Sequence, residues 1–208
     1  MRALGPTLVL LGAAAAVEAA GQPPRLVRGT IGAEPWNVMS GGIAACDVTL
    51  DAHGAVAGAS LVQDLPPYGA QLREAVRGWR FEPARENGRS VRARVLVIGF
   101  FRPPALSIPT PESPRYETTT APDALPWPTH VAVPPYPANV VGSGKVVLEA
   151  DVSDQGRVTS ARIVAPGSPF DSAALDAARA WTFRPSARAG TAAGSRVFMV
   201  FSFVGVTP

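Results

Sequence analysis

The chain has 208 residues, 47% of them apolar, a formal net charge of +3 and a pI near 9.6. Lys145 is the only lysine, so the basic balance is carried by arginine, but no run of basic residues interleaved with aromatics marks a nucleic-acid surface. The single cysteine, Cys46, excludes an intrachain disulfide.

Met1-Arg2, the apolar run Leu8–Ala16 and Val17-Glu18-Ala19 before Ala20 have the layout of an export signal, so residues 1–19 read as a signal peptide. Retention as a short anchor is the alternative. The run falls short of the ~20 residues that a comfortable span needs, and Glu18 interrupts it. No later stretch is long and apolar enough to span.

Ala44, Cys46, Val48 and Leu50 recur with a period of two and predict a strand, which places Cys46 as a small buried apolar residue. Asp51-Ala52-His53-Gly54 predicts a turn, with His53 at its tip. Tyr68, Leu72, Ala75, Val76 and Trp79 form a helical stripe. Its start is weak, with Gly69 at the cap and Arg73 where a staple partner would stand. Trp79-Arg80-Phe81-Glu82-Pro83 then switches from helical to extended spacing, and Pro83 stops the strand. Val95 to Phe101 is a strand that is apolar on both faces.

From about Arg102 to Pro135 the chain is studded with prolines, which favour polyproline II and predict a semi-rigid linker, taken as residues 103–133. Trp127 is its one large apolar residue, either docked on a domain or exposed. Beyond it, Val146, Leu148, Ala150 and Val152 alternate with polar residues, and Asp154-Gln155-Gly156 turns the chain back into Val158–Val164. Asp171 is placed to cap a helix whose stripe is Ala174, Ala177, Ala178 and Trp181, with Phe170 and Leu175 spaced for a staple. Trp181-Thr182-Phe183-Arg184-Pro185 and the apolar run Val197–Phe203 follow.

These two descriptions are one pattern written twice. Trp79, Phe81 and Pro83 fall on Trp181, Phe183 and Pro185, an offset of 102 residues, and Gly54, Arg94 and Phe101 fall on Gly156, Arg196 and Phe203. The sequence therefore predicts an α+β chain of two tandem small domains, 30–102 and 134–205, each reading strand, turn, strand, helix, strand (β-β-α-β). Each has ~60–70 residues, near the lower limit for an independent core.

The final strands pose a problem, because a strand apolar on both faces must be covered on both. A bare apolar edge also invites pairing with another chain. Two readings stay open. Either the edge Arg196, Val197, Phe198, Met199, Val200, Phe201, Ser202, Phe203 receives an extended peptide by strand addition, with Arg196, Arg188 and Arg94 attracting an acidic one. Or the two final strands pair, within the chain or in a homodimer, which closes that edge.

Tyr136-Pro137, Gly144-Lys145-Val146, Asp154-Gln155-Gly156, Phe170-Asp171, Trp181-Thr182-Phe183-Arg184-Pro185 and Val197–Phe203 together resemble the C-terminal domain of TonB proteins. The resemblance covers about 134–204. The first copy matches less closely, with Glu34-Pro35 where Tyr136-Pro137 stands. It implies a small α+β domain, an antiparallel sheet with one helix packed on a face, working in the Gram-negative periplasm and gripping a short peptide of an outer-membrane receptor beside its last strand. Tyr136, Pro137, Gly156, Trp181, Phe183 and Pro185, with Trp79, Phe81 and Pro83 in the first copy, are then structural motif residues. Three departures stand out: no full-length anchor, which leaves inner-membrane association resting on a retained leader; a short segment between Pro137 and Gly144; and the duplication itself. The implied partner is an outer-membrane receptor or another envelope protein.

An enzyme is not expected. His53 and His130 have no partner in sequence, the aspartates read as turn or cap residues, and no phosphate-binding loop follows a strand. No cofactor or metal is implied.

Overall fold

The computed structural model describes residues 21–32, 41–102, 124–138, 140–188 and 190–205. The expected signal peptide, Glu34-Pro35 and residues 103–123 of the expected linker lie outside these. In chain order the elements are β1 (Arg25–Arg28), β2 (Gly42–Leu50), β3 (Val56–Gln63), α1 (Tyr68–Arg77), β4 (Arg80–Glu82), β5 (Ala84–Glu86), β6 (Arg89–Val91) and β7 (Ala93–Phe101). There follow β8 (Trp127–His130), β9 (Gly144–Val152), β10 (Val158–Ala165), α2 (Asp171–Ala180), β11 (Thr182–Arg184), β12 (Ser186–Arg188), β13 (Thr191–Ala193) and β14 (Ser195–Phe203). Strands β8 to β14 stand 102 residues after β1 to β7, bound for bound.

The fold is α+β, but the halves do not keep separate sheets. Six long strands form one sheet in the order β10-β9-β14-β7-β2-β3. Every neighbouring pair is antiparallel except the central one. There β14 and β7 run parallel, from Val197 opposite Leu96 to Ser202 opposite Phe101. Parallel pairing of equivalent strands relates the halves by a half-turn about an axis along the strands, and such a rotation turns the sheet over. The two helices therefore cover opposite faces.

This answers the double-faced apolar strands. Residues alternate across a strand, and β7 sends Val95, Val97 and Phe101 to the core under α1 and Leu96, Ile98 and Phe100 to the core under α2. β14 does the same, with Phe198 and Val200 on the α1 side and Val197, Met199, Phe201 and Phe203 on the α2 side. Each half thus lends its final strand to the other's core. Full burial of a large apolar side chain contributes about 1.5–3 kcal/mol, so the seam is a main source of stability for two halves that are each small.

The free edge expected at Arg196–Phe203 is not present. β14 is paired on one side with β9, from Ser195 opposite Val152 to Phe203 opposite Gly144, and on the other with β7. The pairing of the two final strands within the chain is the arrangement found. The rims of the sheet are instead β3 and β10.

The helices form as their stripes predict. Tyr68, Leu72 and Val76 on α1 are buried, as are Ala174, Ala177 and Ala178 on α2. Their starts differ from expectation. Pro67 and Phe170 occupy the N-cap positions, and neither helix has a side-chain cap. Asp171 instead accepts a hydrogen bond from the Gly167 N–H at 2.7 Å, which ties the preceding loop to the first turn. Phe170 is held not by a staple to Leu175 but by stacking on Phe203, with centroids 4.6 Å apart. Tyr68 stacks on Phe101 in the same way at 4.2 Å.

The turn glycines meet the sequence expectation. Gly54 and Gly156 have φ of +80° and +78°, and a Cβ on either would lie under 2 Å from the carbonyl oxygen of Phe81 or Phe183. Each also accepts a hydrogen bond from that same residue's N–H, which binds the β2–β3 turn to β4 and the β9–β10 turn to β11.

The linker assignment needs correction at its end. Trp127–His130 is β8, paired with β11, and Trp127 and Leu125 are buried in the α2-side core. The corresponding arm of the first half is β1, paired with β4. Four-residue strands carry too little alternation to be seen by periodicity, and the prolines around Trp127 read as spacer. The hairpins β5–β6 and β12–β13 were missed for the same reason.

Candidate functional site

Trp79 and Trp181 anchor the arms. The indole N–H of Trp79 donates to the Thr30 carbonyl and that of Trp181 to the Ala132 carbonyl, both at 2.9 Å. Phe81 and Phe183 are buried beside them. Pro83 separates β4 from β5, and Pro185 separates β11 from β12. The Tyr136 hydroxyl donates to the Gly142 carbonyl, and its ring carries the Arg102 guanidinium 5.5 Å from the centroid. Burial lowers the Arg102 pKa from its ordinary value, and Tyr136 opposes that shift. Pro137 is half-buried next to Tyr136.

A further residue that sequence reasoning passed over joins the halves. Glu149 on β9 is only 5% exposed. Its carboxylate accepts from the backbone N–H of Leu26 at 3.1 Å and pairs with Arg162 at 2.9 Å and Arg25 at 3.7 Å. A buried carboxylate must be paired and hydrogen-bonded, and here the partners come from β1 of one half and β10 of the other. The signal was present, since Glu149 is an acid within an apolar strand. It read as the exposed face of an alternating strand because the other half's contribution could not be foreseen.

The arginines expected to draw an acidic peptide do come together, though not along β14. Arg94 forms a fork on Asp47, and Arg196 pairs with Asp151 at 2.8 Å while donating to the Pro24 carbonyl at 3.3 Å. Arg188 reaches Glu86 across the halves at 3.5 Å. Arg94, Arg188 and Arg196 all line one cavity of about 720 Å³ where β7 and β14 begin, between the two short hairpins. Burial, the largest single influence on Asp151, raises its pKa. The hydrogen bonds from Arg196 and Ser160 and the charges of Arg196 and Arg25 outweigh it and hold the carboxyl below its ordinary value.

Val197 to Phe203 are buried to the last residue, and their backbone groups face β9 and β7. They can do nothing chemically with a peptide while the sheet is intact. His53 and His130 are exposed, the first on the Asp51 turn and the second at the end of β8. Among the described residues no three His, Cys, Asp or Glu side chains gather where they could hold a metal. No described helix is long and apolar enough to cross a membrane.

A search of curated proteins finds no match to the chain. A family model described as Gram-negative bacterial TonB protein C-terminal matches residues 134–203, about a third of the chain. That span runs from the approach to Tyr136 to the end of β14 and contains Gly156, Trp181, Phe183 and Pro185 in the places just described. Residues 134–203 therefore match the TonB C-terminal domain family, a domain of the Gram-negative envelope.

Proposed function

We propose that the protein is an exported, non-catalytic TonB-like adaptor of outer-membrane transport, whose two final strands are joined to each other rather than offered to a receptor peptide. In this reading residues 22–102 are a diverged second copy of the family domain, and the leader carries the chain to the periplasm. The partner, an outer-membrane receptor or another envelope protein, binds away from β14.

One observation carries the reading: β14 pairs with β7 along its length, Val197 with Leu96 through Ser202 with Phe101, while β9 occupies its other side. Strand addition there would require breaking a pairing buried on both faces. The diverged-copy reading is supported by the coincident strand bounds and by the paired indole anchors, Trp79 to Thr30 and Trp181 to Ala132.

The test is amide exchange with and without a receptor-type acidic-apolar peptide. Slow exchange in both 95–101 and 197–203, with no peptide-induced shifts there, is expected. Rapid exchange in 197–203, or shifts confined to 196–203, would restore the receptor-reading edge and remove the adaptor.

A further inference from the structure

We propose that the cleft between the hairpins β5–β6 and β12–β13 is a binding site for an extended acidic segment of a partner protein. This rests on the adaptor reading and names the surface that the adaptor uses.

The cleft sits where the half-turn axis leaves the sheet, over the first residues of β7 and β14. Its volume of about 720 Å³ lies within the ~300–1,000 Å³ usual for ligand pockets. A second hollow of about 570 Å³ adjoins it and shares Gln22, Pro23, Arg85 and Arg196, so the two make one groove. A groove with two connected compartments suits an extended chain better than a compact ligand.

Charge selects the occupant. The larger cavity is lined by Arg85, Arg92, Arg94, Arg188 and Arg196 against Glu86 and Asp151. Three of these arginines are already paired: Arg94 with Asp47, Arg188 with Glu86 and Arg196 with Asp151. Arg85 and Arg92 form no ion pair with a described residue; the Arg85 guanidinium donates to the Gly88 carbonyl at 3.2 Å. Arg92 does lie in the field of Asp51, which belongs to the exposed β2–β3 turn. Two guanidinium groups without a carboxylate partner among the described residues thus flank a groove whose other arginines already have one. A guanidinium binds a carboxylate through two parallel hydrogen bonds, so carboxylates along an extended peptide would complement Arg85 and Arg92. Ala84, Val91 and Leu125 line the same cavity and give the intervening side chains an apolar wall. Ser195, whose buried Oγ has no hydrogen-bond partner among the described residues, also lines it.

The experiment titrates the full chain with a short peptide carrying glutamate at alternate positions and valine between, and with its glutamine version. Binding of the glutamate peptide alone is expected, weakening as salt rises, with amide shifts near residues 85–94 and 194–196. Arg85→Gln and Arg92→Gln should each weaken binding about tenfold, one charge-assisted contact's worth. Arg85→Lys and Arg92→Lys keep the charge and should lose less, and Arg77→Gln on the outer face of α1 should change nothing. Equal affinity for the glutamine peptide, indifference to both Arg→Gln changes, or shifts confined to β3 or β10 would overturn the site. So would binding of polygalacturonate without binding of the peptide. Loss of this site leaves the adaptor reading intact as long as residues 197–203 still exchange slowly, so the two proposals fail separately.

Discussion

Cys46 sits on β2 with no exposed surface, and its thiol is pushed up to about 12. Burial is the main cause, with Asp47 and Asp64 adding to it and Arg73 opposing. Only the thiolate is a nucleophile, so Cys46 should resist a maleimide in the folded chain and react fully in denaturant; rapid labelling of native protein would contradict this burial. This role was legible from the alternation of Ala44, Cys46, Val48 and Leu50. Asp151 has a consequence that the sequence did not offer, because its pairing depends on Arg196 from a strand 45 residues on. Its folded pKa is depressed, so the unfolded chain takes up its proton first. The stability it contributes is whole above the ordinary value of about 3.9 and drains away as the pH falls through the folded value. Asp151→Asn should therefore lower the urea midpoint at pH 7 and flatten its decline below about pH 4; an unchanged acid slope would show that the pairing is not made in solution.

Among the elements, β7 and β14 carry the most. That both faces of each strand would be covered was legible, since Val95–Phe101 and Val197–Phe203 have no polar side to give to water. What covers them was not, because alternation says how a strand is buried and nothing about which strand lies beside it. The aromatic contacts now show the exchange. Phe100 of the first half meets Trp181 and Phe201 of the second at 6.2 and 5.9 Å, and Phe198 of the second meets Phe81 of the first at 5.0 Å. Phe100→Ala should cost about 3–5 kcal/mol, the usual toll of emptying a buried phenylalanine site. Because the ring belongs to the other half's core, urea unfolding of this variant should remain a single transition, the same by tryptophan fluorescence and by circular dichroism. Two separated transitions would mean that the halves fold alone. The short arms and hairpins escaped sequence reading because strands of three or four residues leave no measurable period.

At the scale of the molecule, the strand bounds that recur at an offset of 102 follow the offset of the motif residues in the sequence, and the family domain was legible from 134 onward. The joining of the halves into one sheet was legible only as one of two readings of the apolar edges, for no local residue announces a parallel pairing between strands 102 residues apart. Its cost can be tested by division. Residues 124–208 alone would expose one side of β14 and the face bearing Val147, Phe198 and Val200, all of them buried in the whole chain. An uncovered apolar edge pairs with whatever it meets, so this fragment should sediment as a dimer or aggregate. A stable monomer would show that the first half is dispensable for folding.

The direction of the central strands also decides how the protein bears a pull. Gln22, Pro23 and Pro24 lie beside the first residues of β7 and β14, whereas Gly205 follows the far end of β14 beyond Phe203. Nine residues of strand, about 30 Å, separate these ends. Tension between them runs along the sheet's central axis and loads β14 in shear, so the hydrogen bonds to β7 and β9 share the force together. They are not opened one at a time, as they would be in a strand peeled from a rim.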